Sequence, residues 1–137
     1  MYAKIMVPVD LDHVERLGKA LDAAADLAKH YGVPVCYVGV TVPMPSPVAH
    51  TPQEYAEKLA RFGAEQAAKH GLEAETAAYT SHDPAADLDR RLIEAAKDTR
   101  SDLIVMASHV PGLPEHFFAS NAGAVASHAH VSVFVIR

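Results

Sequence analysis

Ile5-Met-Val-Pro-Val9, Val35-Cys-Tyr-Val-Gly-Val-Thr-Val42 and Leu103-Ile-Val-Met106 are apolar runs of strand length with almost no polar alternation. A strand written this way is covered on both of its faces. The stretches between these runs have helical periodicity, and a parallel sheet with helices on both faces is the arrangement that buries both patterns. In the first such stretch Val14, Leu17, Leu21, Ala24, Ala28 and Tyr31 recur at steps of three and four, and Gly32 follows as a stop. Asp12 is placed to cap this helix. Thr51-Pro-Gln-Glu54 announces the next helix with a cap, a proline at the first helical position and a capping-box glutamate, and Gly71 ends it. Asp83-Pro84 repeats that start for a helix ending near Thr99.

The remaining strands are less uniform. Leu72 to Thr80 is weakly apolar, with Glu73 and Glu75 on one side, which reads as an edge strand. Val131 to Ile136 is the last strand. Pro8 has no N–H to donate, so regular pairing of the first strand is expected to stop there. Gly39, inside the second strand, signals close approach of backbone or ligand. Pro43-Met-Pro-Ser-Pro47 is a stiff, extended connector.

At 137 residues and half apolar, the chain reads as a single domain over residues 1–137. The net charge is −5 and no run of lysine or arginine occurs, which argues against a nucleic-acid partner. The lone Cys36 cannot form an internal disulfide. The longest apolar stretch, Val33 to Met44, is interrupted by prolines and too short to span a bilayer. The opening residues read as a strand ending at Asp10 rather than as a leader. A cytoplasmic location is expected.

Function concentrates in residues 102–122. The strand of Leu103–Met106 gives way to a loop of small residues with Gly112, Pro111 and Pro114, and then to a helix expected over Asn121–His128. Ser120 or Asn121 is expected to cap the first turn. A strand, a small-residue loop and a helix N-terminus present unpaired amides that converge on an anion. Ser108, Ser120, Asn121 and Ala122 would supply hydroxyls and amides to a phosphate; ordinary helix capping by the same residues is the competing reading.

Several pieces in this order resemble the universal stress protein family over the whole chain: Ile5-Met-Val-Pro-Val-Asp10; Asp83-Pro84 followed by Ser101-Asp-Leu-Ile-Val-Met106; and Ser120-Asn-Ala122 through Ser127-His-Ala129 to the last strand. The Ser-His after Met106–Ala107 and the later Ser-Asn-Ala are similar to a short bacterial subgroup. The resemblance implies a three-layer α/β sandwich with a five-stranded parallel sheet of order 3-2-1-4-5. In such a sheet a ligand sits where the order reverses, beyond the C-terminal ends of strands 1 and 4. The resemblance also implies an adenine nucleotide there. Pro8, Val9 and Asp10 would meet it at the end of the first strand, with Asp10 on the ribose, and the Val40 backbone would read the adenine edge. The family's phosphate pattern is Gly, two residues, Gly, nine residues, Gly, then Ser or Thr. The matching positions are Ala107, Val110, Ala119 and Ser120, and the spacer Pro111–Phe118 is one residue short. Gly112 is placed to take over one glycine role, and Met106, Ser108 and His109 complete the loop contacts.

Charge limits this expectation. No lysine or arginine occurs between Arg100 and Arg137, so His109 and His116 are the loop's only cations, opposed by Glu115. Amides and a helix dipole suit AMP or a diphosphate; ATP would need Mg²⁺ to offset its charge. Weak binding is expected. No Gly-x-Ser-x-Gly elbow, Walker loop or paired-carboxylate signature occurs, and no general base is nominated, so slow ATP hydrolysis or self-phosphorylation rests on family analogy alone. Nine histidines include His128-Ala-His130, yet no Cys/His spacing of a structural zinc site occurs, and no metal is expected. The last strand is expected to pair with its copy in a homodimer, with tetramers as a further step. Two readings remain: a nucleotide-binding sensor or regulator, and an interaction module of the same family that has lost the site.

Overall fold

The computed structural model describes residues 1–108 and 117–137, with the backbone alone described at 117–121. Five strands, β1 (Ile5–Pro8), β2 (Val35–Thr41), β3 (Ala74–Thr80), β4 (Leu103–Ala107) and β5 (Ser132–Ile136), form one parallel sheet in the order β3-β2-β1-β4-β5. Helices α1 (Gly18–Tyr31), α2 (Pro52–His70), α3 (Pro84–Asp98) and α4 (Phe117–His128) connect them. Alternation along β1 divides the core. Ile5 and Val7 pack with Leu21, Ala24, Leu59 and Phe62 of α1 and α2. Met6 points the other way, into a cluster with Leu88, Leu92 and Ala96 of α3 and Ala122 and Val125 of α4. The expected three-layer sandwich and strand order are therefore observed.

β1 is the hinge of the topology, and its two ladders differ in length. Residues Ile5 and Val9 turn their amides toward β2, to the carbonyls of Pro34 (3.1 Å) and Val38 (2.8 Å). By alternation, Lys4, Met6 and Pro8 face β4, and the Lys4 carbonyl accepts from the Asp102 amide at 3.1 Å. Pro8 has no N–H to offer on that side. Register with β4 accordingly covers only Ile5↔Leu103 and Met6↔Ile104, whereas register with β2 runs from Ile5↔Val35 to Pro8↔Val38. Pairing thus stops at Pro8 toward β4 but continues past it toward β2, a one-sided version of the expected stop. At the other end, Asp102 ties β1 to β4 by accepting from the amides of Ala3 (3.0 Å) and Lys4 (3.1 Å).

Helix ends follow local chemistry in some places and depart from it in others. Thr51 accepts from the Glu54 amide at 3.1 Å, and Glu54 returns a bond to the His50 amide at 3.1 Å, one residue before the cap. Gly32 and Gly71 close α1 and α2 in left-handed conformation, with φ of 67° and 64°. Asp12 does not cap α1. A 3₁₀ turn over Val14–Arg16 intervenes, and the cap position falls on Leu17, with no side-chain bond. Asp83 does not cap α3 through its side chain either. The buried Ser81 takes over: its hydroxyl accepts from the Asp83 amide (3.2 Å) and donates to Asp87 (2.9 Å). Hydrogen bonds from Arg90, and then from Ser81, hold the Asp87 carboxyl below the ordinary carboxylate range.

α4 starts at Phe117, so Ser120 and Asn121 lie inside the helix and not at its cap, correcting the expected start at Asn121. Nothing between Pro114 and Ser120 breaks a helix, and the capping propensity of Ser120 yields to the extra turn. β3 is an edge strand as expected, with Glu75 exposed and paired with Lys4 at 2.9 Å. β5 forms the other edge. The Cys36 thiol is buried in β2 and pushed up to about 11, chiefly by burial and then by Glu75, which leaves it a protonated core residue. Replacing Thr51 with alanine removes the side-chain cap of α2 and is expected to cost ~1 kcal/mol of stability, read as a lower urea midpoint with unchanged slope.

Candidate functional site

Beyond Pro8 the chain leaves the sheet and folds back on itself at Asp10. The Asp10 carboxylate accepts from the Asp12 amide at 3.0 Å, and its carbonyl accepts from the His13 amide at 3.0 Å, an aspartate-stabilised turn. The other carboxylate oxygen lies 2.9 Å from His13 Nδ1. This turn points Asp10 into a cavity of about 360 Å³ at the C-terminal ends of β1 and β2, a volume in the range that holds small ligands. Val40 and Thr41 of β2 form its floor, Ser46 to Val48 of the β2–α2 connector one side, and Pro84 and Leu88 of α3 the other. Tyr55 of α2 reaches in from the opposite layer. The cavity therefore straddles the end of the sheet.

The connector is pinned in place. Ser46 accepts from the amides of Val48 and Ala49 (3.3 Å each), and its own amide donates to the Ala49 carbonyl at 2.9 Å. Lys58 of α2 donates to the Val48 carbonyl and lies 3.4 Å from Glu54. Lys58 also lines a smaller adjoining hollow with Leu11, Asp12, Pro47 and Val48. The main cavity itself has mostly apolar walls, the carboxylates of Asp10 and Asp12 and the imidazole of His13. Among the described residues no lysine or arginine lines it.

The predicted site residues are distributed unevenly around this space. Asp10 and Val40 both line it. By the alternation that aims the Val38 carbonyl at Val9, the backbone groups of Val40 face the same side, past the last paired residue Pro8. Pro8 and Val9 are buried just before the turn. Met106 is buried against the α3 and α4 layer, and Ala107 and Ser108 are half-buried at the end of β4. The Ser108 amide donates to the Ile136 carbonyl at 2.7 Å, so it prolongs the β4–β5 ladder and leaves only the hydroxyl to offer a ligand. Ala119, Ser120 and Asn121 belong to the first turns of α4, and the Ala122 methyl is core. His109 and Gly112 lie outside the described residues, as do Val110, Pro111, Pro114, Glu115 and His116. None of the described walls comes from β4. The described walls lie at the ends of β1 and β2, and the loop after β4, which the expected crevice between strands 1 and 4 would include, lies outside the described residues. Among the described residues no group of three His, Cys, Asp or Glu side chains could hold a metal ion, and no helix is long and apolar enough to cross a membrane.

Tyr55, His13 and Leu88 are wall residues that spacing alone did not single out. The one signal was Gly39. It did mark a close approach, but by a side chain of the same protein: a Cβ there would lie 2.3 Å from the Tyr55 hydroxyl and 2.9 and 3.0 Å from its ring carbons.

A parallel sheet that reverses its strand order beside a ligand-sized cavity places the molecule among the doubly wound α/β proteins. The sequence model of the universal stress protein family matches residues 1–137, and the chain belongs to that family. It is 28% identical to universal stress protein G of Shigella flexneri over 148 aligned positions that cover all of both chains. A universal stress protein from Archaeoglobus fulgidus has the same fold (TM-score 0.69, 24% identity, all of both chains), as does a structure of the universal stress protein from that organism in complex with dAMP (TM-score 0.69, 24% identity, 99% of this chain and 98% of that one). A family protein from Arabidopsis thaliana with AMP bound matches at TM-score 0.68 and 16% identity, over 98% and 90% of the two chains.

Gly39→Ala is expected to destabilise the protein by about 1–3 kcal/mol in urea unfolding, because the new methyl overlaps an aromatic ring held in the core. Removing the Tyr55 hydroxyl in the same chain should not rescue it, since the ring carbons collide as well.

Proposed function

We propose that this protein binds an adenine nucleotide, AMP in preference to ATP, in the cavity beside Asp10, and acts as a sensor or regulator through occupancy of that site. The observation that carries the reading is the meeting of Asp10 and Val40 on one ligand-sized cavity at the end of β1 and β2. A carboxylate is the group a sugar hydroxyl donates to, and a strand edge with open backbone groups suits a base. Relatives of the same fold whose structures hold dAMP and AMP support it by analogy. The preference follows from charge. With Asp10 and Asp12 at the mouth and no cation among the described walls, each added phosphate increases repulsion, and a triphosphate would need Mg²⁺ to relieve it.

A second reading, an interaction module, is favoured by the free edge of β5, where Phe134 and Val135 are 48% and 37% exposed. An apolar edge strand is relieved by pairing with its copy about a two-fold axis. The two readings are compatible in one homodimer, and the dimer alone would suffice for the second. Replacing Phe134 with lysine is expected to shift the protein to a monomer by light scattering.

With no tryptophan and five tyrosines, the chain absorbs weakly at 280 nm, so co-purified nucleotide would appear as excess absorbance at 260 nm. Titration calorimetry is expected to show AMP binding more tightly than ATP without Mg²⁺, and Asp10→Ala to abolish both. A clean spectrum with no heat from AMP, ADP or ATP overturns the nucleotide reading in favour of the interaction module.

A further inference from the structure

A second cavity, of about 520 Å³ against about 360 Å³ for the one at Asp10, opens at the far end of α3. Pro84 and Leu88, in the first turns of α3, border the Asp10 cavity. Ile93, Ala96 and Lys97, in its last turns, border this one, and Ala129, His130 and Val131 complete it where α4 gives way to β5. The floor of this groove is aliphatic. Ala96 is buried, while Ile93, Ala129 and Val131 are half-buried. Ala129 and Val131 pack on the cluster that contains Leu92 and Val125. Two alanines where α3 meets the end of α4 leave space that longer side chains would fill. A volume of this size with mostly apolar walls and a few polar groups suits a small ligand.

The polar groups sit at the rim, and they are not equally committed. Glu94 is already answered by Arg90 Nη1 at 3.6 Å and Arg91 Nη1 at 3.2 Å. Lys97 and His130 are both exposed, and neither side chain has an ion pair or hydrogen bond among the described residues. Asp98, beside Lys97, does not line the groove and accepts from the Tyr79 hydroxyl at 3.3 Å. A lysine in the last turn of a helix is ordinary, because it offsets the helix dipole. A lysine and an imidazole over the same aliphatic groove are more than that offset requires. We propose that this groove binds an amphipathic carboxylate, its acyl chain lying along Ile93, Ala96, Ala129 and Val131 and its head held by Lys97 and His130. Among the described residues no phenyl or phenol ring lines the groove to stack on a base, and its floor offers no polar side chain to orient a functionalised body. A single negative charge suits one lysine and one imidazole, whereas a dianionic phosphate would also meet Glu94. The Asp10 cavity, with carboxylates at its mouth, repels the same ligand, so the two sites select different chemistry.

The test is calorimetric titration of the full chain with decanoate and with decyltrimethylammonium, each below its micelle concentration. The wild type is expected to bind decanoate more tightly than the cation of the same chain length. Lys97→Glu, at an exposed position, is expected to weaken decanoate by about five- to thirty-fold, the range for turning one exposed attraction into a repulsion, and to strengthen the cation. Ala129→Phe fills the groove and is expected to abolish decanoate binding while circular dichroism stays that of the wild type. If Ala129→Phe does not fold, Lys97→Glu decides alone. No heat from decanoate in the wild type, equal binding of the two amphiphiles, or an unchanged decanoate affinity in Lys97→Glu overturns the proposal. So does decanoate binding to a folded Ala129→Phe. Binding seen only in Phe134→Lys, and not in the wild type, shows that a second copy covers the groove and also overturns it.

Discussion

The missing N–H of Pro8 organises the functional end of this molecule. Through Met6, β1 is paired on both sides and sealed on both faces, with Ile5 and Met6 fully buried. Two residues later, at Pro8, the β4 ladder loses its donor, while the β2 ladder runs on to Val9. The strand therefore leaves β4 while still anchored to β2, and the next residue, Asp10, emerges at the cavity at the ends of β1 and β2. In a doubly wound sheet the strand order reverses around β1, and no helix can cover the gap that reversal leaves. A proline on the side facing β4 ends β1 there, and the chain beyond it turns at Asp10 into the cavity at the ends of β1 and β2. The position of Asp10 is a consequence of backbone chemistry two residues upstream.

How much of this was legible depends on the range over which each signal acts. Buried strands show as apolar runs because burial on both faces leaves no room for polar alternation, so β1, β2 and β4 could be placed within a residue or two. Thr51, Gly32 and Gly71 act within one turn of their own helix, and they do what their residue types prefer. Asp12, Asp83, Ser120 and Asn121 have the same local preference and do not cap. At Asp12 the amide is drawn into the Asp10 turn; at Asp83 the residue's own amide donates to the buried Ser81; and at Ser120 the helix begins a turn earlier. In each case another local arrangement stands where a capping bond worth ~1 kcal/mol was expected. Gly39 stated that something comes close but not what. The partner, Tyr55, is fixed by the length of the proline-rich connector and the start of α2, and no pattern in β2 encodes it.

The electrostatics of the cavity separate two parts of a nucleotide that the loop pattern treats as one. The walls that are described hold acidic and apolar groups, which favour a sugar and a base. The main-chain amides that would favour phosphate belong to the other side of the switch point, and there the Ser108 amide is already committed to Ile136. Affinity for the nucleoside portion would come from burial of apolar area and from a few polar contacts, which salt screens weakly. Affinity for phosphate would come from dipoles alone, working against Asp10 and Asp12. In the proposed site the two portions would contribute unequally, since among the described residues no lysine or arginine lines the cavity to make phosphate the anchor.

Two tyrosines of one packing layer, Tyr37 and Tyr55, differ in what lies beside their rings. Tyr37 on β2 is fully buried, packs edge-on against Phe62, and burial pushes its phenol up to about 12. Its hydroxyl has no hydrogen-bond partner in the described protein, as is also true of the Gln66 side-chain oxygen in the same layer. Tyr37 lies inside the packed layer between β2 and α2, and its orphaned hydroxyl is a cost of filling that core with a ring. Tyr55 comes from the same layer and stacks on the same strand only two residues along, at Gly39. There β2 keeps its pairing with β3 but has passed the last residue paired with β1, and Tyr55 lines the cavity that also holds Asp10. The same residue type, in the same packing layer, is enclosed where β1 still pairs with β2 and borders a cavity just past the end of that pairing.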